Sequence, residues 1–309
     1  YSQLICQLPM LTREVVSMIA TKLTIPRPQS VEVGKGEYLI NGMSYPRVTT
    51  VLDIIDKPAL RRWYVNQALD KVDEELTQRT GAHITRAEID NVLALAKEKP
   101  DTSKNQAASF GGAAHDAIRY YIQSTKYPTL TWSGDPAIDG QMGRIIESFD
   151  EWRSSYDIEI ELSEHLIWHN GATCDDCIAG QHDYAGTMDA VGYRNHIDDK
   201  TNIPYKTLFV ADWKTGGLYR EAYLQVAAYA HAMEQLTGEE VHEAWVVRIP
   251  RDPPKKKRDG TYTASFEAHR VSHDQIKSNF DLFRHALSIY GTLGDGWTQT
   301  KTLQGVLYE

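Results

Sequence analysis

The feature that most constrains this fold is a change of hydrophobic period near Tyr156. From Pro58 onward, Leu60, Trp63, Tyr64, Gln67 and Ala68 recur at three- and four-residue steps, which predicts a helix to about Arg79. A second helix is expected from Thr85 to Lys97, with Thr85 as cap and Glu88 closing a capping box. Pro100 and the polar stretch after it separate this helix from a third near Ala107 to Gln123. A fourth runs from about Pro136 to Ser155, with Ile138, Met142, Ile145, Phe149 and Trp152 on one stripe. After Tyr156, β-favouring runs appear at Ile158 to Trp168, Tyr184 to Tyr193 and Thr207 to Trp213. An amphipathic helix from Arg220 to Leu236 follows, then a strand at His242 to Ile249 and a turn at Asp259-Gly260. A last strand at Thr263 to Val271 precedes a closing helix capped by Ser272 and ending about Tyr290. Ahead of all this, Val31 to Ile40 and the run from Met43 flank Asn41-Gly42, the signature of a two-residue hairpin turn. The expected fold is α/β: a mixed central sheet flanked by helices, with a mainly helical N-terminal half.

A chain of 309 residues can bury a large core. One domain is expected, its helical cap at 58–155 and its sheet core at 156–290. No apolar run approaches the roughly 18 to 20 residues that cross a bilayer, so no membrane span is expected. Tyr1 to Ala20 mixes Gln, Thr, Arg and Glu with apolar residues, unlike a secretion signal. A cytoplasmic location is the default, with mitochondrial and nuclear ones left open. Three cysteines cannot supply a disulfide framework, which fits a reducing compartment. Cys174-Asp175-Asp176-Cys177 has the spacing of half a tetrahedral metal site, with His169 and His182 as nearby candidates for more ligands. The alternative is a reduced pair in an exposed loop.

Gly186-Thr187-Met188-Asp189 sets a carboxylate within one strand, and Val210-Ala211-Asp212-Trp213-Lys214 sets a carboxylate and an ammonium at the end of the next. The two-residue period of a strand puts Asp212 and Lys214 on one face and Trp213 on the other. Carboxylates from adjacent strands can hold a hard divalent cation. Such an ion polarises a phosphate oxygen, and a lysine beside it orients water or offsets developing charge. The bland alternative is an Asp-x-Lys salt bridge at a strand end.

In these positions the sequence resembles the PD-(D/E)XK nuclease superfamily, in particular its RecB-like exonuclease branch. Asp189 and Asp212-Trp213-Lys214 match that pattern, and Gln225-Val226-Ala227-Ala228-Tyr229 matches the branch's Gln-x-x-x-Tyr helix. Gly111-Gly112-Ala113-Ala114-His115 matches its helix-borne histidine, and Glu164 corresponds to an acidic residue on the preceding strand, with Glu161 as competitor. Tyr205 to Met233 is similar to mitochondrial genome maintenance exonucleases and related phage exonucleases. The resemblance covers about two thirds of the chain. It implies a restriction-endonuclease-like fold with a helical cap or arch. Catalytic roles fall on Asp189, Asp212, Lys214, Gln225 and Tyr229. Ligation of Mg2+ or Mn2+ falls on His115, Glu164, Asp189 and Asp212, the imidazole making manganese as suitable as magnesium.

The implied activity is hydrolysis of DNA, preferably single-stranded or with a free end, in replication, recombination or repair. Arg47, Arg61, Arg62, Trp63, Lys255 and Lys256 are candidate DNA contacts alongside Gln225 and Tyr229. For Trp63 the alternative is a core position, and for Lys255 and Lys256 a solvated hairpin tip. A formal net charge of -9 opposes a polyanion partner unless the basic residues gather in one groove. Two rival readings use the same residues, a strand-specific endonuclease and a DNA-binding module without turnover.

Overall fold

The computed structural model describes residues 23–124, 135–174, 177 and 182–303, with side chains as far as residue 293. Tyr1 to Ala20 and Cys6, considered above, lie outside the described residues.

Three short strands, β1 (Val31–Val33), β2 (Glu37–Ile40) and β3 (Met43–Pro46), form an antiparallel meander. The sequence suggested one strand from Val31 to Ile40. It is split at Gly36, whose φ of +96° reverses the chain, while Asn41 and Gly42 take the positive angles expected of the second turn. A short helix, α1 (Val48–Leu52), follows, and its Val48, Val51 and Leu52 are buried. The sequence reading gave no helix there.

Helix α2 (Pro58–Thr77) packs along α3 (Arg86–Gln123). Thr85 and Glu88 make the expected capping box. The predicted break at Pro100 is absent: two expected helices are one, running through the proline. A proline inside a helix removes one hydrogen bond and crowds the carbonyl four residues back. Here Val92, Ala96 and Pro100, spaced by four, are all buried on one stripe, and packing holds the backbone helical across the defect. Helix α4 (Pro136–Ser155) has the predicted bounds, starts on Asp135 as N-cap, and buries Met142, Ile145, Phe149 and Trp152, whereas Ile138 is exposed.

The main sheet has the order β4-β5-β6-β7-β8, from β4 (Ile158–His169), β5 (Tyr184–Ile197), β6 (Pro204–Lys214), β7 (Glu243–Arg248) and β8 (Glu267–Ser272). Neighbours are antiparallel except β6 and β7, which are parallel and joined through α5 (Glu221–Thr237). β8 is shorter than predicted because 255–263 turns back on itself, with a bridge between Lys256 and Tyr262. The closing helix α6 (His273–Leu303) begins at a reciprocal cap between Ser272 and Gln275 and runs past the predicted end at Tyr290. Glycine costs a helix only about 1 kcal/mol per position, and Gly291 does not stop it.

Two cores cover the two faces of the sheet. On one, Val226, Ala230 and Met233 of α5 and Phe283 and Leu287 of α6 pack on Met188, Val191 and Val210. On the other, Ala114 and Ala117 of α3 and Phe149 and Trp152 of α4 pack on Phe209, Trp213 and Trp245. The meander joins at one end, where Ile40 and Tyr45 bury Ala185 and the Tyr38 hydroxyl lies 3.1 Å from Thr187 Oγ1. Among the described residues no helix is long and apolar enough to cross a membrane. Cys174 and Cys177 do not form an open pair in an exposed loop: they are half-buried and paired as a disulfide in this structure.

Candidate active site

The β5–β6 ladder runs from Ile197 and Pro204 to Ala190 and Ala211 and stops there. β6 continues to pair with β7 as far as Lys214 and Arg248. Asp189 and Asp212 are therefore the first residues beyond the last shared rung. The Trp213 backbone N–H donates to Asp189 Oδ2 at 2.6 Å, so the carboxylate bridges the point where the two strands part. Both aspartates are buried, at 6% and 1% exposed.

Helix α3 delivers His115 to the same place. Its Nδ1 lies 3.3 Å from Asp189 Oδ1 and 3.5 Å from Glu164 Oε1. Ala114 and Ala117, both fully buried, bring α3 onto the sheet, and Gly111 passes close to Thr215, while Gly112 faces open space. Of the two candidate glutamates, Glu164 is at the site. It sits between the register pairs Ser163↔Ala190 and His165↔Met188, opposite Asp189, with a left-handed φ of 50°. A non-glycine residue held there costs of order 1–3 kcal/mol, a strain that clusters at functional positions. Each of His115, Glu164 and Asp189 brings a ligand atom within 4.8 Å of the others.

Asp212 stands outside that trio and anchors a second group. Lys214 Nζ lies 2.7 Å from Asp212 Oδ2 and donates to Gln225 Oε1 at 3.1 Å. Gln225 Nε2 donates to Asp212 Oδ1 and to the Tyr229 hydroxyl, both at 2.9 Å. The four-residue step between Gln225 and Tyr229 puts both on one face of α5, over the end of β6. Tyr229 fits only because position 186 is glycine: a Cβ there would come within 2.6 Å of its ring. The Asp212 Oδ2 is buried and faces the Lys214 ammonium, so both oxygens of Asp212 have a partner.

Charge accumulates here. Burial alone would lower the His115 pKa, but Asp189 and Glu164, helped by Asp212, outweigh it and raise the pKa to about 10. Burial raises the Asp212 carboxyl to about 6, with Asp189 acting in the same direction and Lys214 and His115 opposing. For Lys214, burial would favour the neutral amine, but Asp212 and Asp189 prevail and its pKa rises. At neutral pH the ammonium is charged and has no lone pair to accept a proton.

Beside Lys214 a cleft is lined by Thr49, Leu52, Lys57, Tyr219 and Gln225. It meets a second at Gly217, whose walls include Thr215, Arg248, Arg251 and Lys255. Arg248 is held by the Gly216 carbonyl and Glu267, and the Arg251 guanidinium lies over the Phe110 ring at 5.2 Å. The sequence reading missed Lys57, Arg248 and Arg251, which carry no motif. Two of them directly follow or end β7, the parallel neighbour of the Asp-x-Lys strand, and that adjacency was the available signal.

The remaining candidates lie apart from the carboxylates. Arg47 donates to the Gly34 carbonyl at 2.8 Å and covers the Tyr38 ring, so it braces the meander. Arg61 and Arg62 are exposed on α2, Arg61 paired with Asp56. Trp63 is half-buried, edge-on to Tyr64. Lys255 and Lys256 are exposed on the 255–263 turn, and Lys255 also lines the second cleft. No protein-family model and no curated protein matches the chain.

Proposed function

We propose that this chain is a divalent-metal-dependent DNA exonuclease of the PD-(D/E)XK type, with a restriction-endonuclease-like core and with α2 and the first half of α3 as a cap. One observation carries the reading: a histidine and two carboxylates converge where two strands part, beside a buried Asp212 and a glutamine-braced lysine. An ordinary salt bridge accounts for Asp212 and Lys214 but leaves the His115, Glu164 and Asp189 trio and the strained Glu164 unexplained.

The residues fit a hard cation. His115, Glu164 and Asp189 offer one nitrogen and several oxygens, and Asp212, paired with Lys214, adds a buried carboxylate beside them. These four would hold Mg2+ or Mn2+, the imidazole giving manganese a place beside magnesium. When bound, the ion supplies Lewis-acid polarisation of the scissile phosphate and a lowered water pKa. The chain's own contribution is positioning and charge. Lys214, fixed by Gln225 and Asp212, directs an ammonium toward charge growing on phosphorus in an in-line displacement. Because it stays protonated, its role is electrostatic rather than that of a base. Gln225 and Tyr229 keep Asp212 and Lys214 in one geometry, so little reorganisation is needed during reaction. Arg248, Arg251 and Lys255, which share the second cleft with Asp252 and Glu267, would offer a strand of phosphates cationic contacts beyond Lys214.

The test uses end-labelled linear DNA, single- and double-stranded, and circular single-stranded DNA, each with magnesium, manganese or chelator. Metal-dependent release of nucleotides from linear DNA, with circles intact and with loss of activity in Asp212→Ala and Lys214→Ala, is expected. Full activity in both variants would refute the site, and cutting of circles would convert the reading to an endonuclease.

A further inference from the structure

A second cluster of metal-ligating groups lies at the C-terminal end of β4, and the nuclease reading makes no use of it. His169 is the last residue of β4, Cys174 and Cys177 belong to the β4–β5 connection, and His231 is on α5. All four offer ligand atoms within 4.8 Å of one another. We propose that, with the cysteines reduced, Cys174, Cys177, His169 and His231 bind one structural Zn2+ that ties the β4–β5 connection to helix α5.

The donors and their distances suit this ion. His231 Nε2 lies 3.7 Å from Cys174 Sγ, and His169 Nε2 lies 3.9 Å from Cys177 Sγ. Zinc bound tetrahedrally at ~2.3 Å to sulfur and ~2.0–2.1 Å to nitrogen separates its sulfur and nitrogen ligands by about 3.6 Å. The orientation of His169 adds a chemical argument. Its Nδ1 is 2.8 Å from the His182 carbonyl, which can only accept, so the proton sits on Nδ1 and the Nε2 lone pair faces the sulfurs. A disulfide has no proton to give that lone pair. A metal held by both sulfurs satisfies it, and the carbonyl then fixes the imidazole tautomer as partners of metal-bound histidines do.

Both imidazoles are fixed by aromatic neighbours, as the ligands of a structural site are. His169 stacks on Tyr184 at 4.9 Å, and His231 stacks on Phe280 at 3.7 Å. Aromatic rings against both imidazoles favour the neutral form that a metal requires. Binding of Zn2+ to two thiols releases two protons to solvent, and two thiolates, two neutral imidazoles and the ion sum to zero charge, which an apolar shell tolerates. His182, a candidate from spacing, is not a ligand: its Nε2 lies 3.0 Å from Ser288 Oγ, and its carbonyl does the orienting.

The experiment starts from the full chain reduced by excess dithiothreitol, which supplies the two electrons and two protons that open the cysteine pair. After anaerobic removal of the reductant, Zn2+ or Co2+ is added. The expected result is one zinc per chain surviving gel filtration. The cobalt form is expected to show tetrahedral visible bands with a sulfur-to-cobalt charge-transfer band. Both signals should vanish in Cys177→Ser and His231→Ala. His231→Cys should keep the metal and strengthen the charge-transfer band, which distinguishes a lost ligand from a failed fold. His115→Ala should leave that band unchanged, separating this site from the carboxylate cluster. Reduced protein that binds no more zinc or cobalt than the Cys174→Ser, Cys177→Ser double variant would overturn the proposal. So would a pair that re-forms its disulfide in the presence of zinc. Neither outcome bears on DNA cleavage.

Discussion

The two ligand clusters of this molecule share strand β4 and differ in kind. Around Asp189 the donors are mainly oxygens, crowded with like charge, beside a lysine that lines a cleft, and held by a backbone out of its relaxed region at Glu164. Around Cys174 they are sulfur and imidazole nitrogen, with both imidazoles stacked against aromatic rings. Hard oxygen donors suit an ion that shares its shell with substrate. Soft donors suit an ion that holds the fold together. Helix α5 serves both, with Gln225 and Tyr229 toward one and His231 toward the other. Reactivity is thus built next to an element that has its own separate anchor.

The largest effects should come from exchanging damage between the clusters. Lys214→Ala removes the ammonium and leaves Gln225 and Asp212 unsupported, with an expected loss of about 10²- to 10³-fold in kcat. Zinc content should not change. His231→Ala should lose the zinc and lower the thermal midpoint, while kcat at a temperature where the variant is folded stays within a few-fold. Steady-state nuclease assays and metal analysis on the same preparations check both. A His231→Ala variant as inactive as Lys214→Ala while still folded would remove the distinction between the clusters.

Next in size is proton linkage, which only the oxygen cluster should show at neutral pH. His115 is raised above its ordinary value to about 10, so its contribution to stability is full below about pH 6.5 and is lost as pH rises through 10. Asp212, raised to about 6, stabilises while protonated and ceases to do so as pH climbs from about 4 through 6. Both trends have the same sign, but below about pH 6.5 the buried His169 and His231, lowered to about 4 and about 3, act in the opposite sense, so the steady fall in melting temperature of the metal-free protein is expected from about pH 7 to pH 10. A cation must displace the His115 proton, and its apparent affinity should therefore rise about tenfold per pH unit below 10. Calorimetry of Mn2+ binding at pH 8, in buffers of different ionisation enthalpy, should report release of one proton, and His115→Gln should report none. Equal proton release by both proteins would detach His115 from the site.

The sequence exposes the first site in part by local logic. The strand period puts Asp212 and Lys214 on one face, and the helix period sets Gln225 above Tyr229, whereas His115 and Glu164 enter only through the family resemblance and no local period brings them to Asp189. Glu164 and Glu161 could not be separated that way, since the choice depends on a left-handed residue at 164 and an irregular β4 register between Ile160 and Leu162. The soft cluster is hidden for a different reason. Cys174 and His231 are 57 positions apart and meet only because α5 crosses the sheet between β6 and β7. Proximity along the chain therefore points to His169, which belongs to the cluster, and to His182, which does not, and leaves His231 out. Pro100 misled in the same sense: its local penalty is real, but the buried stripe of Val92 and Ala96 overrides it.

The bracing on α5 offers a smaller effect. Tyr229→Phe removes one hydrogen bond to Gln225, worth about 1 kcal/mol or roughly fivefold in kcat. Gly186→Ala should act through the same ring, because its methyl would drive Tyr229 away from the strand. The two changes should therefore combine to less than the sum of their separate effects. A fully additive double variant would show that Gly186 acts without Tyr229, and the fit between β5 and α5 would lose its catalytic meaning.

The smallest effect concerns the cleft beyond Gly217, which adjoins the Lys214 side and has no residue of the sulfur cluster in its walls. If a DNA strand leaves Lys214 along Arg248, Arg251 and Lys255, then Lys255→Ala should weaken binding of single-stranded DNA about twofold to threefold at moderate salt. It should also reduce the slope of log K against log salt by about 0.7, the value for one phosphate contact with a single strand. Lys256 is exposed on the same turn but does not line the cleft, so Lys256→Ala should leave the slope close to that of the unaltered protein. Fluorescence anisotropy with a catalytically inert Asp212→Ala background measures both without cleavage. Equal slopes for the two variants would mean that the turn attracts DNA only diffusely, and the strand would then have to leave the carboxylates by another route.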